Sequence, residues 1–219
     1  MFYILPNKAK VASFDVDPQN TFTPVCPLEL PVPEGDQIVA ELLLQAAFAS
    51  LRVASRDAHS DKAVWIASES HPQFSPVSGQ PNADMYWNAH AIVGTKGFEF
   101  IEGLDPHSYD FQVYKGVDPT LHPYGACYHD LAQSLSTGVI EYLLQHQIDT
   151  VIVGGLATDY CVKTTVLQLL GAGFKVVVNL GACRGITPET TQQAIEQMQK
   201  AGAAIISHAA ELKSTPEKI

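Results

Sequence analysis

Short valine- and isoleucine-rich runs alternate along this chain with longer segments whose apolar residues recur at helical spacing, and that alternation limits the fold most. "KVASFDVD" (10–17), "LRVASRD" (51–57), "FQVYKG" (111–116), "DTVIVGG" (149–155), "FKVVVNL" (174–180) and a final "AAIIS" (203–207) read as strands. Between them, "EGDQIVAELLLQAAFA" (34–49) carries an apolar stripe through Ile38, Leu42 and Ala46, and "STGVIEYLLQHQ" (136–147) one through Ile140, Leu143 and Leu144. "DYCVKTTVLQLLGAG" (159–173) repeats the pattern at Val162, Val166, Leu169 and Leu170 before glycines stop it. In "TPETTQQAIEQMQKAG" (187–202), Thr187 is placed as N-cap, with Pro188 at the first helical position and Glu189 in the first turn. Strands that alternate with helices must run parallel and be joined by crossovers. The expectation is one α/β domain over 1–219: a doubly wound, mostly parallel, Rossmann-like sheet with helices on both faces. The stretch 58–110 lacks periodicity and reads as an elaborated loop region at the strand ends, where such folds build sites.

Composition narrows the partners. With 13 basic against 23 acidic residues, a net charge of −10 and no basic cluster, the chain lacks what nucleic acid or an anionic membrane rewards. The opening "MFYILPNKAK" is too short for the apolar core of a secretion signal, and no apolar run approaches a membrane span. Cys26, Cys127, Cys161 and Cys183 show no paired spacing, which suits reduced thiols. A cytoplasmic protein acting on a small molecule is expected.

In an open α/β sheet, ligands bind outside the carboxyl ends of the strands. Three such ends carry chemically useful residues: Asp17 after the first strand, Lys115 after "FQVY", and Cys161 in the first helical turn after "VIVGG". A thiol that attacks an unreactive carbonyl needs a base, something to favour the thiolate, and donors for the oxyanion. A carboxylate, an ammonium and a helix N-terminus would supply them. A second constellation is Asp57-x-His59, with His90 in "YWNAHA". One carboxylate and two imidazoles suit zinc, iron or manganese, with positions left open.

"FDVDPQNTF" (14–22) and "GLATDYCV" (155–162) resemble the two most recognisable motifs of the nicotinamidases, within the isochorismatase-like cysteine hydrolases. The resemblance continues through "RDAH" (56–59), "YWNAHAIVGTKGFEF" (86–100), "YKGVDP" (114–119) and "ACRGITPE" (182–189), and so spans most of the chain. It implies hydrolysis of nicotinamide to nicotinate and ammonia through a thioester, in NAD salvage. It also implies a catalytic set of Asp17 (rather than Asp15), Lys115 and Cys161. The oxyanion hole would be the backbone N–H groups of Ala157 and Cys161, beside a cis peptide between Leu156 and Ala157. Asp57, His59 and His90 would hold one divalent ion, zinc first, with iron or manganese as alternatives, and the ion would bind the pyridine nitrogen. Family members follow D-x-H closely with another histidine. Here the nearest is His71, so the fourth ligand is expected to be His71, Glu69 or water. Phe22, Trp87 and Tyr160 fall within the matched motifs and would grip a flat ring by stacking. His107, His122, His129, His146 and His208 follow no pattern and read as surface or packing residues. Thr21 departs from the family's acidic residue at that place. A homo-oligomer is expected. The alternatives are a ureidoacrylate- or carbamoylsarcosine-type amide hydrolase of the same superfamily, or a relative that binds metal or ligand without turnover.

Overall fold

The computed structural model describes residues 2–215. In chain order its main elements are β1 (Tyr3–Leu5), β2 (Val11–Val16), α1 (Val39–Ala46), β3 (Leu51–Asp57), β4 (Phe111–Lys115), α2 (Val139–Gln145), β5 (Thr150–Leu156), α3 (Lys163–Gly171), β6 (Lys175–Arg184), α4 (Pro188–Lys200), β7 (Ala204–Ile206) and β8 (Leu212–Ser214). Six of these strands form one wholly parallel sheet in the order β4-β3-β2-β5-β6-β7. The chain leaves β2 towards β3 and β4 on one side, then returns to place β5 on the other. The gap between the carboxyl ends of β2 and β5 is therefore the topological switch point, where such sheets bind ligands.

The alternation along β2 shows why both faces are covered. Ala12, Phe14 and Val16 join one core with Val139 and Leu143 of α2, Val166 and Leu169 of α3, and Met198 of α4. Ser13 and Asp15 point the other way, where Gln45 of α1 donates to both side chains. Central strands buried on both faces read as continuous apolar runs, and each large side chain so buried contributes about 1.5–3 kcal/mol. The sheet is the parallel, doubly wound one expected.

Some details differ from the sequence reading. "AAIIS" is not the last strand: β8 follows it and pairs in parallel with β1, apart from the main sheet. Strands of three residues carry too little pattern to be seen in advance. On α2 the inward pair is Val139 and Leu143, whereas Leu144 is 55% exposed. That seven-residue helix has room for a single i, i+4 pair facing the sheet, and it begins one turn later than expected. Gly35–Ile38 leads into α1 as a 3₁₀ turn rather than as α-helix. β6 runs four residues beyond "FKVVVNL", through "GACR".

Between Asp57 and Phe111 the chain carries only a 3₁₀ turn at Pro106–Ser108 and isolated bridges, such as Ile66 with Trp87. It packs around its own small cluster of Ala63, Trp65, Ala83 and Trp87. Among the described residues, no helix is long and apolar enough to cross a membrane. Thr187 caps α4 as expected, its Oγ1 accepting from the Thr190 amide at 3.2 Å. Thr187→Ala should lower stability by about 1 kcal/mol, read as a lower urea midpoint at unchanged slope.

Candidate active site

Four neighbouring strand ends supply the site. Lys115 ends β4, Asp57 ends β3, Asp17 follows β2, and Cys161 lies just past β5. Asp17 adopts φ 44°, so the chain turns out of the strand there. That turn separates it from Asp15, two residues earlier. Asp15 stays in β2 and pairs with Arg52 at 2.7 Å, whereas Asp17 lies 2.9 Å from Lys115. After β5 the chain makes a π-helical turn over Thr158–Val162 before α3, with Val162 N–H donating to Ala157 C=O at 3.1 Å. π turns recur at functional sites, and this one carries Cys161. The Leu156–Ala157 peptide is cis. Gly155, at φ 135°, sits so close to β2 that a Cβ would overlap the Val16 carbonyl, so only glycine fits there.

Lys115 is wholly buried and is the hub. Its Nζ pairs with Asp17 Oδ2 and Asp57 Oδ1, donates to Cys161 Sγ at 3.7 Å, and reaches the Pro123 carbonyl at 3.5 Å. Three groups that can be anionic thus share one cation. At an effective dielectric of about 20, an ion pair gains roughly 6 kcal/mol at 2.9 Å and roughly 4.5 kcal/mol at 3.7 Å, so the ammonium favours the carboxylate at 2.9 Å over the thiolate at 3.7 Å. Burial pushes the Cys161 thiol well above its usual range. Lys115 opposes this, but Asp17 and Asp57 add to it, so the sulfur keeps its proton at rest. Burial also raises Asp17, outweighing Lys115, with Asp57 adding to the rise. Asp57 is the settled anion: although burial works to raise it, Lys115 and His59 hold it well below the carboxylate range. Ser55 Oγ donates to Asp17 Oδ1 at 2.6 Å, leaving Oδ2 as the oxygen offered to the thiol side.

The second cluster adjoins the first through Asp57. His59 Nδ1 bonds the Gly116 carbonyl at 3.1 Å and His90 Nδ1 bonds that of Asn88 at 2.7 Å. Each bond leaves Nε2 as the ring nitrogen not engaged with a backbone carbonyl. Those nitrogens stand 3.6 and 3.8 Å from the Asp57 carboxylate, too far for hydrogen bonds. His59 Nε2, fully buried, has no partner among the described residues. An oxygen/nitrogen donor set held apart around an orphaned imidazole fits a divalent cation. Gly116, at φ 70°, lies against the His59 ring, where a Cβ would overlap it. Thr21 Oγ1 donates to Glu29 Oε2, and both oxygens accept from the Ala91 amide next to His90. A carboxylate therefore reaches this place from residue 29 rather than 21.

Between the clusters lies a pocket walled by aromatic rings. Phe22, Trp87 and Tyr160 all line it, with Asp57, His90, Ala157 and Cys161. Trp87 meets Tyr160 edge to face, with ring centroids 5.2 Å apart. Asp17 and Lys115 are wholly buried and do not line this pocket.

His71 does not join the site. It is exposed, stacks on Tyr86 and bonds Ser70. Glu69 is exposed as well. The histidine that does join is His122, expected on the surface or in packing: it is buried beside His59 and His90 and faces the pocket. Burial, with His59 and His90 adding, holds its pKa well below the histidine range. Tyr124, which no sequence pattern marks, joins as well. It lines the pocket, and its hydroxyl accepts from Trp87 Nε1 at 3.3 Å and donates to Asp84 at 2.8 Å. Asp159, two residues before Cys161, accepts from the Ile186 amide and from Thr190 Oγ1, bracing the π turn against the start of α4.

Residues 14–210 match the Isochorismatase domain. The chain belongs to the isochorismatase family. The match starts within β2 and ends after β7, so all four strand ends of the site lie inside the isochorismatase domain. A nicotinamidase of Escherichia coli K12 is 33% identical over 185 residues, covering 80% of this chain and 85% of that one. Among solved structures, a nicotinamidase/pyrazinamidase of Acinetobacter baumanii superposes with TM-score 0.85 at 30% identity, over 93% of this chain and 98% of the other. A pyrazinamidase of Pyrococcus horikoshii in complex with zinc superposes with TM-score 0.71 at 28% identity, over 90% and 98% of the two chains.

Proposed function

We propose that this chain is a nicotinamidase, a cysteine amidohydrolase that converts nicotinamide to nicotinate and ammonia in NAD salvage. The observation that carries the reading is a buried Asp17–Lys115–Cys161 cluster behind an aromatic pocket whose other side is an oxygen/nitrogen donor set. The relatives named nicotinamidase support the substrate. Asp57, His59 and His90 would hold a divalent cation, zinc being the ion of the Pyrococcus horikoshii structure, and that cation would supply a Lewis-acid seat for a pyridine nitrogen. All four cysteines are free, which supports a reducing, cytoplasmic setting.

The chain's own residues account for the proton and bond changes. As Cys161 Sγ bonds to the amide carbon, Asp17 Oδ2 takes the thiol proton. The carbonyl oxygen gains the negative charge and faces the backbone N–H groups of Ala157 and Cys161. Asp17 returns the proton to nitrogen, the C–N bond breaks, and ammonia leaves a thioester. Water then adds to the thioester carbon while Asp17 takes its proton. The C–S bond breaks, nicotinate departs, and the thiol regains its proton. Lys115 offsets the negative charge that the cluster carries throughout. Phe22, Trp87 and Tyr160 hold the ring plane so that the carboxamide meets the sulfur.

If the cation only orients the ring, its loss misplaces the carboxamide without disarming the thiol. His90→Ala should reduce nicotinamide turnover about a hundredfold, the scale of a small misplacement. Alkylation of Cys161 by iodoacetamide should stay near the wild-type rate. His90 is the informative position because Asp57 also touches Lys115, so its loss would disturb both clusters. Alkylation that collapsed together with turnover would contradict the division of labour.

A further inference from the structure

His122 is a buried polar group at the site that the proposed chemistry leaves unused. It lies on the loop after β4, its amide bonded to the Asn82 carbonyl at 2.8 Å, and the carbonyl of Leu121 before it accepts from Trp65 Nε1 at 3.0 Å. The ring stacks against His59 at 5.4 Å and against Trp87 at 5.8 Å, with interplanar angles of 17° and 12°. Neither ring nitrogen has a hydrogen-bond partner among the described residues. An imidazole 4% exposed with both nitrogens unmet is rare in native proteins, because each unmet polar atom costs stability when water is excluded.

Its neighbours show where the missing partner belongs. One ligand nitrogen from each of His59, His90 and His122 lies within 4.8 Å of the other two. His59 Nε2 is orphaned in the same space, while the Nδ1 atoms of His59 and His90 are anchored on backbone carbonyls. We propose that His122 is a metal ligand, completing a three-imidazole set with His59 and His90 beside the Asp57 carboxylate.

The three imidazoles come from two loops: His59 and His90 from the start and the later part of the 58–110 stretch, His122 from the loop after β4. A bound ion therefore ties together two loops that the sheet does not pair. The His122 loop also carries Tyr124, a pocket wall, and the Pro123 carbonyl that Lys115 reaches. Three nitrogens with one carboxylate select borderline transition ions over magnesium or calcium. This inference rests on the metal-assisted reading above and assigns the ligand that His71 and Glu69, both exposed, do not provide.

The test uses cobalt(II) as probe on the full chain after chelator dialysis. Proton NMR of the cobalt protein should show three hyperfine-shifted exchangeable imidazole N–H signals, one for each ligating histidine, with no variant needed. Two signals would overturn the proposal. Cobalt(II) titration of His122→Ala, with folding checked by circular dichroism, should show affinity lowered by at least about a hundredfold, beyond the range of outer-shell changes. Unchanged affinity in a folded variant would overturn it too. Nicotinamide turnover by the wild type separates the two readings. A His122-dependent cobalt site in a protein without that turnover keeps the metal set and sinks the substrate. Turnover with only two imidazole signals does the reverse.

Discussion

Purified Cys161→Ala protein is expected to release ammonia from nicotinamide on the order of a millionfold more slowly than wild type, the scale of losing a hydrolase nucleophile. The size of the loss follows from how the site is built. Among the described residues, Cys161 is the thiol that accepts from the Lys115 ammonium and lines the pocket; the Ser55 hydroxyl, which donates to Asp17, does not line it. The fold should survive. Cys161 borders the pocket, so truncating it to alanine enlarges an existing space rather than opening a new void in the core. Circular dichroism and metal content should match wild type, which turns the ammonia assay into a test of chemistry alone. Residual turnover within tenfold of wild type would rule out a thioester on this sulfur.

Asp17→Asn is expected to fall nearly as far, while Asp15→Asn keeps turnover per folded molecule and loses stability instead. Asparagine preserves the shape of Asp17 but cannot accept the thiol proton, and both halves of the reaction need that transfer. Asp15 has a different task. Its Oδ2 accepts from Arg52 Nη2 at 2.7 Å and Tyr109 OH at 3.0 Å, and its Oδ1 from Gln45 at 3.1 Å. Breaking a buried ion pair destabilises by about 3 kcal/mol or more, and the retained amide oxygen keeps the loss near the lower end. The two variants should separate cleanly in a paired urea melt and ammonia assay. In the wild type, Asp17 must be ionised to act. As its carboxyl is raised above the ordinary 3.8 by burial, kcat/KM should fall as pH drops through that raised value. Turnover surviving in Asp17→Asn but lost in folded Asp15→Asn would reverse the assignment.

What could be read in advance, and what could not, follows from how far apart the cooperating residues lie. The sheet was legible because buried parallel strands leave unbroken apolar runs, and β3 was expected at the residues it occupies, Leu51–Asp57. Asp17, Lys115 and Cys161 were legible because each sits where an apolar run ends, and parallel topology gathers those ends on one edge. Alternation alone could not choose between Asp15 and Asp17, since both lie on one face of an extended strand. The left-handed turn at Asp17 is what carries it away from Asp15 and beside Lys115, and strand periodicity does not encode that turn. His122 left no trace because its partners are 63 and 32 residues away, at His59 and His90, and no local spacing links them. His71 looked better because it follows D-x-H more closely, but its loop folds outward against Tyr86.

Acid-quenching the protein during turnover of nicotinamide, then mapping its peptides by mass spectrometry, tests the central claim most directly. A nicotinoyl adduct confined to the peptide that carries Cys161, formed and lost at rates consistent with equal release of nicotinate and ammonia, is the predicted result. Equal release with no adduct at Cys161 under any quench time, or an adduct at another residue, would contradict it.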